Sequence, residues 1–409
     1  MTAAGGPAGA ARPLPLTGIT VLDLGHIYQG PYAGLLLALA GARVVKVEPP
    51  DGEGLRGRGG SLPFAMLNGN KESISLDLKH PDGLAAFHRL AANVDVVVMN
   101  FAPGVPERLG IGPHRLLDVN PRLIVAHASG FGVRGLDGEP LASTTPAMDL
   151  TIQAHAGPMG ITGFEDEAPL KSGAAFVDFL GGTHLYAAVT TALFERERTG
   201  VGRSVEVSMA DATYFTLTTA MGNWQLTGRT TRAGNHHPAR TLAPYGVYPC
   251  ADGHLALIAV NNRHWRSVLA VIGRDDLADD ERYRGMSQRA EHEADVDELV
   301  AAWTAARPKA EAVAALQEAH VPAAAVRYID DIVNDPELLD RGAIQWIDHP
   351  ECGRIPVPHS PMRWHGSGLV ELEPSPALGA DTEAVLTGLA GLQPAEIAAL
   401  VERGAAGTG

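Results

Sequence analysis

A chain of 409 residues, 45% hydrophobic and 19% charged, exceeds one ordinary core, so two lobes are expected. Its formal charge of −15, from 47 acidic and 32 basic residues, argues against a nucleic-acid partner, which needs a basic footprint, but leaves room for a local cationic cluster on a phosphorylated small molecule. No membrane helix is expected, since about 18 uninterrupted apolar residues are needed, and MTAAGGPAGAARPLPLTG, without a basic region followed by an apolar core, is not expected to act as a secretory signal.

Residues 1–15 read as a disordered lead-in. Ile19 to Leu24 (ITVLDL) is an apolar strand, Gly25 to Pro31 a turn, Tyr32 to Ala40 a helix and Arg43 to Glu48 (RVVKVE) a second strand. This is a βαβ unit whose glycine turn feeds a helix N-terminus, as nucleotide-binding folds use for phosphate. Glu48 stands where a ribose-binding acid would. The turn is not G-x-G-x-x-G, however, and a purely structural βαβ unit reads the same way. The loop Asp51 to Gly60 carries Arg56 and Arg58; most such arginines are solvated and a minority reach a ligand phosphate.

Leu67 to Leu78 turns into a strand ahead of Lys79, Pro81 to Ala92 is a helix, and Val94 to Asn100 (VDVVVMN) is a β-branched strand. Its end, Asn100 to Gly104, is a C-terminal strand edge, the usual place for ligand contacts in open α/β sheets. A short helix, Val105 to Leu109, holds Arg108, and Leu123 to Ala128 is another strand. The alternation predicts an α/β fold with a doubly wound parallel sheet.

Asp178 precedes Gly181-Gly182 and a long helical pattern in which Leu185, Ala188, Val189, Ala192 and Leu193 share one face. Thr199 to Gly202 ends that helix, and Ser204 to Met209 alternates like a strand. Spacing alone favours Asp178 as a helix cap; the other reading is a catalytic carboxylate with glycines clearing space for a substrate.

Beyond Asp178 the pattern changes. Asp211 to Leu226 is a helix and Thr227 to Pro244 a loop, followed by antiparallel strands Tyr245 to Pro249 and Gly253 to Val260. Helices follow at Trp265 to Ile272, Arg289 to Ala306 and Lys309 to Ala319, then a short strand from Val321. Arg341 to His365 returns to strand and turn, and Pro394 to Arg403 is a helix. The expected domains are 16–226 (large, α/β), 227–335 (smaller, α+β) and 336–409, returning to the large domain. Cys250 and Cys352 lack metal-ligand spacing and fit a reduced cytoplasmic protein with no disulfide.

Several stretches together, in order, resemble the class III CoA-transferases, the formyl-CoA and carnitine CoA-transferase family that includes α-methylacyl-CoA racemase. They are GITVLDLGHIYQGPYAGLLLALAGARVVKVE, NGNKESISLDLKHPDG, NFAPGVPERLGI, NPRLIVAHASGFG, PAMDLTIQAHAGPMGITG, VDFLGGTHLYAAVTTALFERERTGVGRSVEVSMAD and RAGNHHPARTLAPYGVYPCADGHLAL. The resemblance implies a Rossmann-like sheet built from both chain ends and an interlocked homodimer. It implies acyl-CoA and a small organic acid, such as a dicarboxylate, as substrates, with CoA not held permanently and no metal.

The resemblance also makes Asp178 the nucleophile, which suits the chemistry: a carboxylate can attack a thioester carbonyl and pass through an anhydride to an aspartyl-CoA thioester. It places CoA at Ile27 and Tyr28, at Leu76 and Lys79, at Asn100, Phe101 and Ala102, and at Arg108. Ile27, Leu76 and Phe101 read equally as core; Lys79 and Arg108 read equally as solvated charges. Around the nucleophile it adds Met148, Asp149, Gly181 and Gly182, while His236, His237 and Arg240 are candidates for an acceptor carboxylate or plain surface residues. His26 and His155 are expected to be structural.

Racemase members carry Gly-His-Asp where this chain has Ala147-Met148-Asp149, and Met148 cannot relay a proton. Transferases more often have Tyr there. Formyl-CoA transferases have Gln at the position of Tyr28 and a longer glycine-rich loop, which counts against oxalate and formate. The alternatives are an acyl-CoA racemase and a CoA-binding protein without chemistry.

Overall fold

The computed structural model describes residues 12–56, 62–133 and 145–409; the expected lead-in up to residue 11 and Arg58 lie outside the described residues. The strands, in chain order, are β1 (Thr20–Leu24), β2 (Arg43–Glu48), β3 (Glu72–Leu76), β4 (Val96–Met99), β5 (Ile124–Ser129), β6 (Arg203–Ser208), β7 (Tyr245–Cys250), β8 (Gly253–Ile258), β9 (Ala323–Ala325), β10 (Ile344–His349), β11 (Gly353–Pro358) and β12 (Ala406–Gly407). Two units form. The first comprises the described residues of Met1–Ile152, Ala175–Thr213 and Val333–Gly409, the second Gln153–Ala174 and Tyr214–Ile332.

The first unit carries a large sheet of order β12-β3-β2-β1-β4-β5-β6. Every pairing from β3 to β6 is parallel, and β12 closes one edge antiparallel to β3, pairing Ala406 with Leu76. The central strands are buried on both sides because helices cover both faces. One face buries Leu22, Val97 and Val125 of the sheet under Phe87, Leu90, Leu116, Leu386 and Ile397. The other buries Val21, Val96 and Ile124 under Ala33, Leu37, Leu185 and Val189. A hairpin of β10 and β11 packs Ile355 and Val357 on Leu35 and Leu39.

The chain runs from β1 to β2 on one side and to β4 on the other, so the order reverses between β1 and β4. At such a reversal the crossover helices leave to opposite faces and a crevice opens beyond the strand ends. The helix Gln29–Leu39 leaves β1 there.

In the second unit an antiparallel sheet of order β7-β8-β9 packs against helices Asn262–Ile272, Glu293–Thr304 and Lys309–Glu318. Leu255, Leu257, Trp265, Val296, Val300 and Leu316 form its core. The helix expected over Asp211 to Leu226 is broken: Met209–Tyr214, a 3₁₀ turn Phe215–Leu217, and Thr218–Thr227.

Candidate active site

The loop after β1 is built on a buried charge network. Asp23 accepts the Gly25 N–H at 2.7 Å and the Lys71 ammonium at 2.8 Å. Lys71 also donates to the carbonyl of Pro31 and to Asn68 Oδ1, and Lys46 donates to the carbonyl of Gly25. Both lysines and Asp23 are buried. Burial alone pushes the Asp23 carboxyl up, but Lys71 and Lys46 together hold it below its ordinary value. Burial pulls Lys71 down to about 8 despite Asp23. Gly25 is required: a Cβ there would stand 2.7 Å from Asp23 Oδ1, the Gly30 carbonyl carbon and Pro31 Cδ.

Above this base the backbone is strained. Ile27 has φ of 64°, which a β-branched residue rarely adopts. It is held from both sides. The His26 N–H donates to Asn100 Oδ1 at 2.7 Å, and Asn100 Nδ2 returns a bond to the His26 carbonyl at 2.9 Å. Glu53 accepts the Ile27 N–H at 3.4 Å and lies 3.6 Å from His26 Nδ1. The His26 ring packs on Phe101, centroids 5.2 Å apart, and the Phe101 carbonyl meets His127 Nε2 at 2.8 Å. Ile27, Tyr28, Asn100 and Phe101 are thus tied together at the ends of β1 and β4, with Ala102 exposed just beyond.

Leu76 ends β3 with its side chain in the core. Lys79 is exposed in the following loop, its N–H donating to Asp77 Oδ1, and Arg108 is exposed with its guanidinium over Gly104. Glu48 does not serve as a ribose acid. Its two oxygens take Arg56 at 2.9 and 2.7 Å, its carboxylate also accepts the Glu53 N–H, and its side chain is fully buried. Arg56, also stacked 4.2 Å over Phe64, is committed inside the protein.

Asp178 stands inside the first turn of the helix Phe176–Thr199, two residues in from its start, and Ala175 occupies the cap without a side-chain bond. The cap reading therefore fails on position. Asp178 is 8% exposed, and no hydrogen bond reaches its carboxyl among the described residues. Burial first, and the Asp149 carboxylate second, push its pKa up to about 7. Asp149 opens the helix Asp149–His155 and accepts the Val177 N–H at 3.1 Å, fixing the turn that carries Asp178. Met148, 54% exposed, donates its N–H to Thr151 Oγ1.

Phe179 joins the two halves of this unit's site. Its ring stacks on Tyr28 at 5.9 Å and meets Tyr32 edge-on at 4.9 Å. Gly181 and Gly182 give their space to the helix Gln29–Leu39: Cβ atoms there would fall 2.5 Å from Gln29 Nε2 and 2.8 Å from the Gln29 carbonyl. Sequence reasoning passed over Gln29, Tyr32 and Phe179. A polar residue opening an otherwise apolar helix was the available signal for Gln29.

His237 belongs to the second unit, edge-on to Tyr245 at 5.3 Å and 3.2 Å from Thr241 Oγ1. Its neighbours face acidic groups: Arg240 pairs with Glu293, and His236 Nδ1 lies 3.2 Å from Glu293 and 3.3 Å from Asp297. Among the described residues no group of His, Cys, Asp or Glu is arranged to hold a metal ion, and no helix is long and apolar enough to cross a membrane.

The model of CoA-transferase family III matches residues 16–382. The succinyl-CoA:D-citramalate CoA-transferase of Chloroflexus aurantiacus is 34% identical, over 95% of this chain and 97% of that protein. The formyl-CoA:oxalate CoA-transferase of Streptomyces avermitilis is 33% identical, over 95% and 98%. Among solved structures, a CaiB/BaiF family protein from Brucella suis superposes with a TM-score of 0.80 at 30% identity, covering 92% of this chain and all of that one.

Proposed function

This chain belongs to CoA-transferase family III and is an enzyme of the CoA-transferase class, and from that premise we propose that it moves CoA between an acyl-CoA and a small organic acid through covalent intermediates on Asp178. The Asp178 carboxylate attacks the thioester carbonyl; the C–S bond breaks, leaving a mixed anhydride and CoA thiolate. The thiolate attacks the aspartyl carbonyl, releasing the first acid as its carboxylate and leaving an aspartyl-CoA thioester. The acceptor carboxylate then displaces the thiolate, and the thiolate takes the new acyl group and frees Asp178.

The observation that carries this reading is a buried carboxyl with no hydrogen-bond partner among the described residues and a pKa near 7. Such a carboxylate is poorly solvated and correspondingly reactive, yet ionised in good part at neutral pH. A structural aspartate in the same helix turn would be bonded to backbone N–H groups or an arginine.

On the same reading the Rossmann-like strand order presents CoA-binding residues Ile27, Tyr28, Asn100, Phe101 and Ala102 at the crevice, with Leu76, Lys79 and Arg108 outward along the sheet edge. Met148 and Asp149 flank the nucleophile, Gly181 and Gly182 let the helix Gln29–Leu39 approach it, and His237 is a candidate for binding an acceptor carboxylate. Met148 sits where racemases have their proton-carrying His, so transfer is favoured over racemisation. The named relatives use different acids at nearly equal identity, citramalate at 34% and oxalate at 33%, so the acceptor is proposed only as a small mono- or dicarboxylate. A homodimer is part of the proposal, supported by exposed Phe215, Trp224 and Leu226; so is a cytoplasmic location.

The test is incubation with an acyl-CoA, quenching with hydroxylamine, and mass spectrometry of the Asp178 peptide. A hydroxamate at Asp178, with Asp178→Ala inactive but still binding CoA, is expected. An Asp178→Ala protein that transfers CoA at the parent rate overturns the scheme.

A further inference from the structure

Gln29 is a buried polar group for which the reaction scheme above has no use. It opens the helix that leaves β1, is 2% exposed, and its Nε2 has no hydrogen-bond partner among the described residues. The amide lies against the nucleophile's own helix. A Cβ at Gly181 would stand 2.5 Å from Nε2 and 3.2 Å from Cδ, so the missing side chain is the notch that admits the carboxamide. Gly181 follows Asp178 by three residues, which puts the notch one turn along on the same helix face.

A buried amide without a partner is destabilising, and a leucine would fill the same space with no polar group left over. The group therefore calls for a reason outside packing. We propose that Gln29 is a substrate-binding group of this reaction, its carboxamide N–H donating to the carbonyl oxygen that becomes an oxyanion at Asp178. This rests on Asp178 being the nucleophile.

The resting state fits that role. A donor bonded to the free Asp178 carboxylate would stabilise the ground state and blunt the nucleophile. Held one turn away and unpaired, the amide contributes only when a new carbonyl oxygen arrives, which is the condition for lowering a barrier rather than tightening binding. Each tetrahedral intermediate of the cycle places an oxygen on the acyl or aspartyl carbon, so one donor serves all of them. Phe179, the residue after Asp178, packs on Tyr28 and Tyr32, which fixes the two helices against each other and holds the amide in register.

The experiment compares Gln29→Leu, Gly181→Ala and Asp178→Ala in steady-state transfer, single-turnover trapping with hydroxylamine, CoA binding and thermal melting. Removing one such donor lowers kcat by about 100- to 1,000-fold. The expected result for Gln29→Leu is that loss in kcat and in trapping rate, an unchanged affinity for CoA, and a melting point no lower than the parent's. Gly181→Ala, whose methyl evicts the amide, is expected to lower kcat in the same way. Parent-rate turnover by Gln29→Leu overturns the inference. So does a rate loss in Gln29→Leu that comes with a lowered melting point while Gly181→Ala turns over normally, since that is a packing role. If Asp178→Ala is inactive and Gln29→Leu is not, only the role of Gln29 fails; if Asp178→Ala is active, the nucleophile assignment fails first.

Discussion

Asp178→Asn should make the protein more stable in alkaline solution and inactive at every pH. The carboxyl titrates near 3.8 when unfolded and about 7 in the native protein. Between those values the folded chain holds a proton that the unfolded chain has lost, so stability falls as pH rises through the window. The native group gives up its proton about three pH units later than the unfolded one; only about two of those units lie between pH 5 and pH 8, and at about 1.4 kcal/mol per unit this is about 3 kcal/mol. The N-terminal end of the helix favours the charged form by up to about 1 kcal/mol, leaving about 2 kcal/mol. Asparagine cannot ionise and carries none of this slope. Urea unfolding of parent and variant at pH 5 and pH 8 measures it: the stability difference should move by about 2 kcal/mol in favour of the variant at the higher pH. A difference that stays constant with pH would refute the buried, unpaired carboxylate. Both results can be read without any knowledge of the substrate.

Removing the charge of Asp149 with Asp149→Asn keeps an acceptor for the Val177 N–H and takes away the second cause of the raised Asp178 pKa. The acid limb of kcat/KM, expected with a midpoint near 7 in the parent, should move to lower pH but stay above the ordinary carboxylate range, because burial is the larger cause; an unmoved midpoint would disprove the coupling. Lys71→Met leaves Asp23 buried beside a lost ion pair, and breaking such a pair costs about 3–5 kcal/mol; a urea midpoint equal to the parent's would show that Lys46 alone suffices. Asn100→Ala removes both bonds to His26 and should raise the KM for acyl-CoA while kcat changes less, since the strained loop at Ile27 loses its clamp; steady-state kinetics with Asp178 trapping separates the two parameters.

The sheet was legible because its strands are continuous apolar runs such as VVVM and IVAHA, each set off by turn residues. The position of Asp178 was legible too, but its exact place in the helix was not. Ala175 has no capping group, so nothing in the sequence marks where the first turn begins. The charge network was hidden for another reason. Asp23 and Lys46 stand alone inside apolar strands, and only the three-dimensional meeting with Lys71, 48 residues from Asp23, pairs them. Glu48 looked like a ribose ligand because the strand end is the right place for one; its partner Arg56 lies in a loop whose course no periodicity predicts. The glycines were misread in purpose. Spacing says that a side chain is missing at 181 and 182, while only packing says that Gln29 fills the gap.

Three unfavourable choices in this unit lie close to one another. Ile27 at positive φ, and the Nε2 of Gln29 and the carboxyl of Asp178, both without a hydrogen-bond partner among the described residues, all lie on the loop after β1 or the two helices that meet beside it. Each is destabilising by an amount comparable to a point mutation, and a chain selected for stability alone would relieve all three with common residues. Directly beneath them lies the opposite arrangement, in which Asp23 accepts from Lys71 and the Gly25 N–H, Lys71 also donates to the Pro31 carbonyl, and Lys46 donates to the Gly25 carbonyl. A buried ionic base of this kind tolerates little movement, because displacement of Lys71 or Asp23 exposes an unpaired buried charge. That rigidity is what lets a strained loop, a spare donor and a desolvated carboxylate persist above it without collapsing onto one another. The two halves of the arrangement are therefore one device, and substitutions in the base should loosen the site before they unfold the protein.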